Sequence, residues 1–413
     1  MACIEFRKLA SVVYHQIWDK VFSPIKLSIY WKILPSRVKR IRQKGSICVL
    51  FVTSELSSWK TELLYKKMIC HPRFHPIIGV STSYAPRGIK LPLINYLQDK
   101  GFDYVDLDLK PHSIDLLNPD IIFYNKPYPE CYSKGHFFYD NLKYVFCGLD
   151  YCIEATKHAA HIYREFFDYC WLFFVENNEL AKRRKEVLGS RARNTRITGT
   201  PIQDVFMQPK EDFNDPWKDQ SKKKRIIYAP HHSIPGTNGD GIEFSTFLDY
   251  GETVLKLAKK YKNDITVAFK PHPNLYMKLV KIWGKNRTEA YYNEWLTMEN
   301  AQVETGEYIG LFKYSDAIIH DCASFIVEYL YTNNPSLYLV ANTNNIADMF
   351  DFVREGYHCH EHAYNAYEIE NFICDVIKGN DNKKEKREHY IKTHLIPPGS
   401  HNACDNIIEA ILG

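Results

Sequence analysis

Residues 47–60 read ICVLFVTSELSSWK, and this stretch decides the fold. Ile47 to Val52 is an unbroken apolar run, as expected of a strand buried on both faces of a parallel sheet. Thr53 to Ser58 is polar, and a helix-like segment follows from Trp59 to Met68. The same order then recurs. Strand-like runs lie at 76–80, 104–107, 120–124 and 143–147, and a further one ends in the Gly199-Thr200-Pro201 turn. A second series occupies Arg225–Ala229, Ile265–Phe269, Asp316–His320 and Ser336–Val340, with a helical segment at 243–261. Strands alternating with helices predict doubly wound parallel sheets covered on both faces. The polar stretch 207–224, with Pro209, Pro216 and Lys222-Lys223-Lys224, reads as a linker. The expected division is therefore an arm over 1–44, a first Rossmann-like α/β domain over 45–206 and a second over 207–413. Ligands of such sheets bind outside the carboxyl ends of the strands, here in the cleft expected between the domains.

Composition agrees. Of 413 residues, 45% are hydrophobic and 25% charged, which excludes a disordered chain, a collagen-like repeat or a disulfide-stapled miniature scaffold. No apolar run approaches the roughly 18–20 residues of a spanning helix. The 11 cysteines are odd in number and form no CxxC pair, which fits free thiols in a reducing cytoplasm better than disulfides or zinc. No cleavable signal peptide is evident.

The charge is unevenly placed. Residues 1–44 carry ten Lys/Arg against Glu5 and Asp19, so the arm nets +8 and the remaining 369 residues net −4. Apolar residues, Trp18 and Trp31 among them, recur in the arm at nearly helical spacing. Such a segment lies on an anionic membrane surface, or else packs on its own domain with a solvated basic face. Because the basic excess stops at the arm, nucleic acid is not expected as a partner.

The common cofactor signatures are missing: no GxGxxG follows the first strand, and there is no GxxxxGK[ST], GxSxG or HExxH. Gly236 to Gly241 lacks a phosphate-binding lysine and reads as a loop. Polar residues concentrate instead at the carboxyl ends of the second-series strands. Tyr228-Ala229-Pro230-His231-His232-Ser233 ends one strand. Phe269-Lys270-Pro271-His272-Pro273 ends the next, its histidine held between two prolines. Ile319-His320-Asp321-Cys322-Ala323-Ser324 ends a third and runs into a helix expected to start near Ser324. A single histidine at a strand end is ordinarily structural. Three such ends on one sheet edge suit an anionic ligand, with the helix start as an added donor. The plainer role for Asp321 is a helix N-cap, and for Glu328 a buried partner of some nearby donor.

These residues resemble a known family. Tyr228-Ala229-Pro230, Lys270-Pro271-His272-Pro273, the run Ser315–Tyr329 and Asn334-Pro335-Ser336-Leu337-Tyr338 are together similar to the CDP-glycerol glycerophosphotransferases of bacterial teichoic acid and capsule synthesis. The likeness covers about 140–345 and includes Asn194 to Pro201. Departures occur: His320, Cys322-Ala323 and Glu328 stand where the family has Thr, Tyr-Ser and Asp. At 146–151 the family's WHG motif, with its presumed basic histidine, is absent.

The resemblance implies a GT-B architecture, two Rossmann-like domains facing across a cleft, and peripheral attachment to the inner face of the cell membrane. It implies transfer of glycerol phosphate or ribitol phosphate from a CDP-activated polyol donor to a hydroxyl of a membrane-linked glycan acceptor. On that pattern His272, His231 and Asp150 are the expected catalytic residues, with Glu154 or His158 as other candidate bases. His232, Ser233, Lys270, Asp321, Ser324 and Glu328 are the expected donor-binding residues. No metal site is expected, and magnesium enters only as a counter-ion of the diphosphate. Three other readings stay open: a GT-B glycosyltransferase using a CMP- or UDP-sugar, a UDP-sugar 2-epimerase-like isomerase, and a non-catalytic binding member.

Overall fold

The computed structural model describes residues 23–82, 90–109, 113–150, 153, 155–157, 165–237, 243–306, 308–341, 344–399 and 402–413. The chain forms two compact units.

The first unit is built on seven parallel strands: β1 (Ile47–Thr53), β2 (Phe74–Val80), β3 (Tyr104–Asp106), β4 (Ile121–Tyr124), β5 (Val145–Leu149), β6 (Cys170–Val175) and β7 (Thr195–Ile197). Their order is β3-β2-β1-β4-β5-β6-β7, so the winding reverses between β1 and β4. Central strands are closed off completely, with Val49, Leu50, Phe51 and Val52 at 0% exposure. Gly148 permits the close approach of β5 and β6: a Cβ there would sit 2.8 Å from Cys170 Sγ and 3.0 Å from the Phe173 ring.

The second unit has six parallel strands: β8 (Lys224–Ala229), β9 (Ile265–Phe269), β10 (Ala301–Val303), β11 (Ala317–His320), β12 (Ser336–Leu339) and β13 (Glu361–Ala363). The order is β10-β9-β8-β11-β12-β13, reversing between β8 and β11. Alternate residues feed two cores. Ile226, Tyr228, Val267, Phe269, Ala317 and Ile319 pack on one face. Ile227, Ala229, Ala268 and Ile318 pack on the other. A sheet apolar on both faces must be covered on both, which is why its strands read as continuous apolar runs.

Three expectations are corrected. The stretch 207–224 is no loose linker: Trp217 is 2% exposed in the second unit's core and donates Nε1–H to Leu311 O at 3.4 Å. The division at 206/207 does not hold to the chain's end. Residues 397–413 belong to the first unit, while 153 and 155–157 belong to the second. Helix Ala403–Leu412 buries Ile407 and Ile411, and its Asp405 pairs with Lys67 at 2.6 Å. Finally, helix Ser23–Gln43 is docked on the first unit. It buries Tyr30, Leu34, Val38 and Ile41 at helical spacing, Trp31 Nε1–H donates to Asp168 O (2.9 Å), and Arg42 donates to Ile411 O (3.1 Å). Its outer face carries Ile25, Ile29 and Ile33, each more than 40% exposed. Residues 1–22 of the arm lie outside the described residues.

Among the described residues no helix is long and apolar enough to cross a membrane. Nine cysteines are described and all are free.

Candidate functional site

The site is assembled by the sheet of the second unit at its reversal point, where β8 and β11 lie side by side and their exits diverge. Backbone bonding extends the β8–β9 register past the strand ends: Lys270 N–H donates to Tyr228 O (2.8 Å) and His272 N–H to Pro230 O (3.1 Å). That register brings the two histidine-bearing turns together. Ring centroids lie 4.4 Å apart for His231–His232, 4.1 Å for His232–His272 and 5.1 Å for His231–His272.

Asp321, directly after β11, holds one of these turns. Its carboxylate accepts the backbone N–H of His231 (2.5 Å), the backbone N–H of Thr246 (2.6 Å) and the Thr246 hydroxyl (2.8 Å). It is fully buried, and burial pushes its pKa up to about 7 against these three donors. Asp321 is thus not the N-cap of the helix that follows it; it is a strut between three loops.

The imidazole nitrogens are directed by the backbone. His231 Nδ1 lies 2.7 Å from Ser233 Oγ and accepts the Ser233 N–H at 3.2 Å; that hydroxyl oxygen in turn accepts the Phe244 N–H (2.9 Å). His272 Nδ1 accepts the Asn274 N–H (3.1 Å). With Nδ1 accepting, the neutral rings of His231 and His272 carry their proton on Nε2 and present it as a donor. Burial first, then mutual repulsion with His232, holds both rings below the usual histidine range, His272 at about 3. Both are therefore uncharged near neutral pH in the free protein.

Among the described residues, these three histidines are the group whose nitrogens converge enough, within 4.8 Å of one another, to raise the question of a cation. The donor set does not fit one. A metal-bound Nε2 needs a proton on Nδ1, and there it would face the Ser233 and Asn274 N–H groups instead of the acceptors that support ligating histidines. Two N–H groups directed by backbone, beside a third imidazole, suit an anion.

The other expected donor-binding residues are placed differently. Ser233 is wholly buried and orients His231. Lys270 is 9% exposed, with its ammonium on Gly306 O (2.9 Å) and 5.6 Å from the Tyr308 ring centroid. Glu328 is 2% exposed and accepts the Tyr308 hydroxyl at 2.8 Å, the buried-partner role. Ser324 precedes a helix of only four residues, Phe325–Glu328, and caps nothing with its side chain. The histidine at 320, which replaces a family threonine, is also explained: its Nε2 lies 3.3 Å from His360 Nδ1, and His360 Nε2–H donates to Ile326 O at 2.8 Å.

In the first unit, Asp150 follows β5. Burial raises its pKa to about 6 against the charge of Arg184, itself 4% exposed over the Phe173 ring. Glu154 and His158 lie outside the described residues, as do residues 238–242 of the glycine-rich loop. Two groupings were passed over in the sequence. One is Ser81, Asp108 and His136 at the ends of β2 and β3, with His136 Nδ1 2.9 Å from Ser81 Oγ and 3.5 Å from Asp108 Oδ1. The other is Lys278, on the helix Leu275–Trp283 that follows His272; four residues separate it from the Lys270–Pro273 motif, with no pattern to mark it.

Two parallel-sheet α/β domains, with an anion-suited histidine cluster at a strand reversal, define a GT-B-like protein. Among solved structures, S. aureus MnaA with UDP is 16% identical with a TM-score of 0.58, covering 88% of this chain and 96% of that one. The Neisseria meningitidis UDP-GlcNAc 2-epimerase bound to UDP-GlcNAc is 15% identical with a TM-score of 0.56, covering 89% and 99%. A variant of the wall teichoic acid polymerase TagF soaked with CDPG is 14% identical with a TM-score of 0.57, covering 95% and 97%. Likeness at this identity is one of fold. Sequence comparison with curated proteins found no match. The model of the CDP-Glycerol:Poly(glycerophosphate) glycerophosphotransferase family matches residues 147–411, well over half of the chain, and the chain belongs to that family.

Proposed function

We propose that this glycerophosphotransferase takes glycerol phosphate, or ribitol phosphate, from a CDP-activated donor and transfers it to a hydroxyl of a membrane-linked glycan or polymer, releasing CMP. The observation that carries the reading is the cluster of His231, His232 and His272, in which backbone bonding turns two Nε2–H groups into donors at the strand reversal. The family match and the CDPG soak of TagF support a CDP-linked donor.

In this reading the acceptor oxygen attacks the phosphorus that bears the polyol. The bond between that phosphorus and the bridging oxygen breaks, and CMP leaves with the bonding pair. Negative charge on the diphosphate and then on CMP is met by the imidazole N–H groups, a stabilisation that costs no reorganisation because the turns are already fixed. Asp150 is the proposed base for the acceptor hydroxyl, its raised pKa placing it close to working pH. Asp321 and Ser233 position His231 without touching the donor. Magnesium has no step here beyond neutralising the diphosphate.

Peripheral attachment to the inner membrane face is supported by the exposed isoleucines 25, 29 and 33, which share a helix with Lys26, Lys32, Lys39 and Arg40. The test of the reaction is a turnover assay with CDP-glycerol, CDP-ribitol, CMP-sialic acid and UDP-GlcNAc, scored by nucleotide release and by the mass added to a lipid-linked glycan acceptor. CMP release with a polyol-phosphate increment supports the reading. A sugar increment moves the chain to the glycosyltransferases, and epimerised UDP-GlcNAc moves it to the isomerases.

A further inference from the structure

A diphosphate brings concentrated negative charge, whereas neutral imidazoles offer hydrogen bonds alone. The cation that the Lys-Pro-His-Pro motif points to does not fill the gap, because the Lys270 ammonium is bound to Gly306 O and lies against Tyr308, nearly closed off. The helix Leu275–Trp283 provides another. Lys278 lies in its first turns, and its backbone N–H donates to Asn274 O at 3.4 Å. Asn274 is the residue whose own N–H fixes His272 Nδ1. On its other side Lys278 Nζ donates to Thr237 Oγ1 at 3.3 Å, on the segment that continues from His231 and His232. Lys278 thus touches both segments that build the cluster. Its positive charge acts on both His231 and His272.

We propose that Lys278 is the cation that binds the donor's diphosphate, exchanging its Thr237 hydroxyl for phosphate oxygens while the imidazoles contribute neutral N–H groups. The proposal rests on the reading of this cluster as the donor site and assigns the residue that supplies its charge. An ammonium that meets a phosphate adds the attraction of opposite charges to its hydrogen bond, which the neutral Thr237 hydroxyl does not supply.

The experiment is equilibrium binding of CDP-glycerol and of inorganic pyrophosphate to the full chain and to Lys278→Ala, Lys278→Arg and Lys281→Ala. Exposed Lys281 lies on the same helix, so its variant removes the same net charge away from the Thr237 contact. Lys278→Ala should weaken both ligands by roughly 10- to 100-fold, the value of a charged hydrogen bond. Lys278→Arg should keep most of the affinity, and Lys281→Ala should stay within about twofold. Undiminished binding by Lys278→Ala, or equal losses in the two alanine variants, would overturn the role of Lys278 and leave the donor site standing. If the wild-type chain bound neither ligand, the donor-site reading would fall and the proposal with it.

Discussion

His272 owes its chemistry to three residues on either side of it. Pro271 and Pro273 stiffen the turn, and the Asn274 N–H occupies Nδ1, so the reactive edge is Nε2–H. Its replacement by Asn should lower kcat/KM by about 10²- to 10⁴-fold, as for other preorganised donors and proton carriers. Because the ring is only partly buried and lies outside the apolar cores, the unfolding midpoint should hardly move. Asp321→Asn is expected to behave differently: an amide cannot accept from all three surrounding donors, so it should cost about 1–3 kcal/mol in urea unfolding as well as activity. For Asp150 the signature is a pH profile. With a pKa of about 6, kcat/KM should fall as pH drops through 6 and the group is protonated, and that limb should vanish in Asp150→Asn. An acid limb unchanged in the variant would remove Asp150 as the base. The histidines of the cluster were legible because motif spacing and strand ends could be read together. The true positions of Ser233, Lys270 and Glu328 were not, since a polar residue that follows a strand can turn inward as readily as outward. What turns them inward, Phe244 N–H, Gly306 O and the Tyr308 hydroxyl, is remote in sequence.

At the level of elements, the long apolar strands announced themselves, while β10 and β13, three residues each, were too short to show a period. β6 is a different case: Cys170–Val175 is apolar throughout but follows a run rich in aromatics, which blurred its start. The helix after β11 was expected to start near Ser324 and offer its N-terminus to a phosphate. It stops after one turn because the chain tightens into a 3-10 segment at Tyr329–Thr332. That short helix is tied to the sheet through His320 and His360, both fully buried and neutral. Burial lowers His320 to about 3 from the ordinary 6.5, and lowers His360 as well. The unfolded chain therefore binds more protons than the folded one below pH 6.5. Stability contributed by the pair is complete above that pH and is lost as pH falls, by roughly 1.4 kcal/mol per pH unit for each histidine. Asp321 works the other way, since its raised pKa removes stability as pH rises from 3.8 to about 7. Urea unfolding at pH 7 and pH 5 should show lower stability at pH 5, and the difference should shrink in His320→Thr. An equal difference in that variant would contradict the buried-pair account.

For the molecule as a whole, the two-domain α/β plan could be read from strand order, but the return of the chain could not. The C-terminal helix belongs to the first unit through Ile407, Ile411 and the contacts of Asp405 and Arg42, none of which leaves a sequence signal. Ile407→Ala should cost about 2–5 kcal/mol and destabilise the first unit, a loss that tryptophan fluorescence unfolding would resolve. The arm divides into a face docked through Tyr30, Leu34, Val38 and Ile41 and a face left open at Ile25, Ile29 and Ile33. Replacing the three exposed isoleucines by Ser should reduce sedimentation with anionic vesicles several-fold and leave the unfolding midpoint in place. Unaltered vesicle binding would leave the helix with a purely structural role.

The central claim is that His231, His232 and His272 form the binding site for a CDP-linked polyol. Calorimetric titration of CDP-glycerol and UDP-GlcNAc into the wild-type chain and His272→Ala tests it most directly. The account predicts saturable binding of CDP-glycerol, at least tenfold weaker in the variant, and little or no heat from UDP-GlcNAc. Equal affinity of His272→Ala and wild type for CDP-glycerol, or preference for the UDP-sugar, would contradict it.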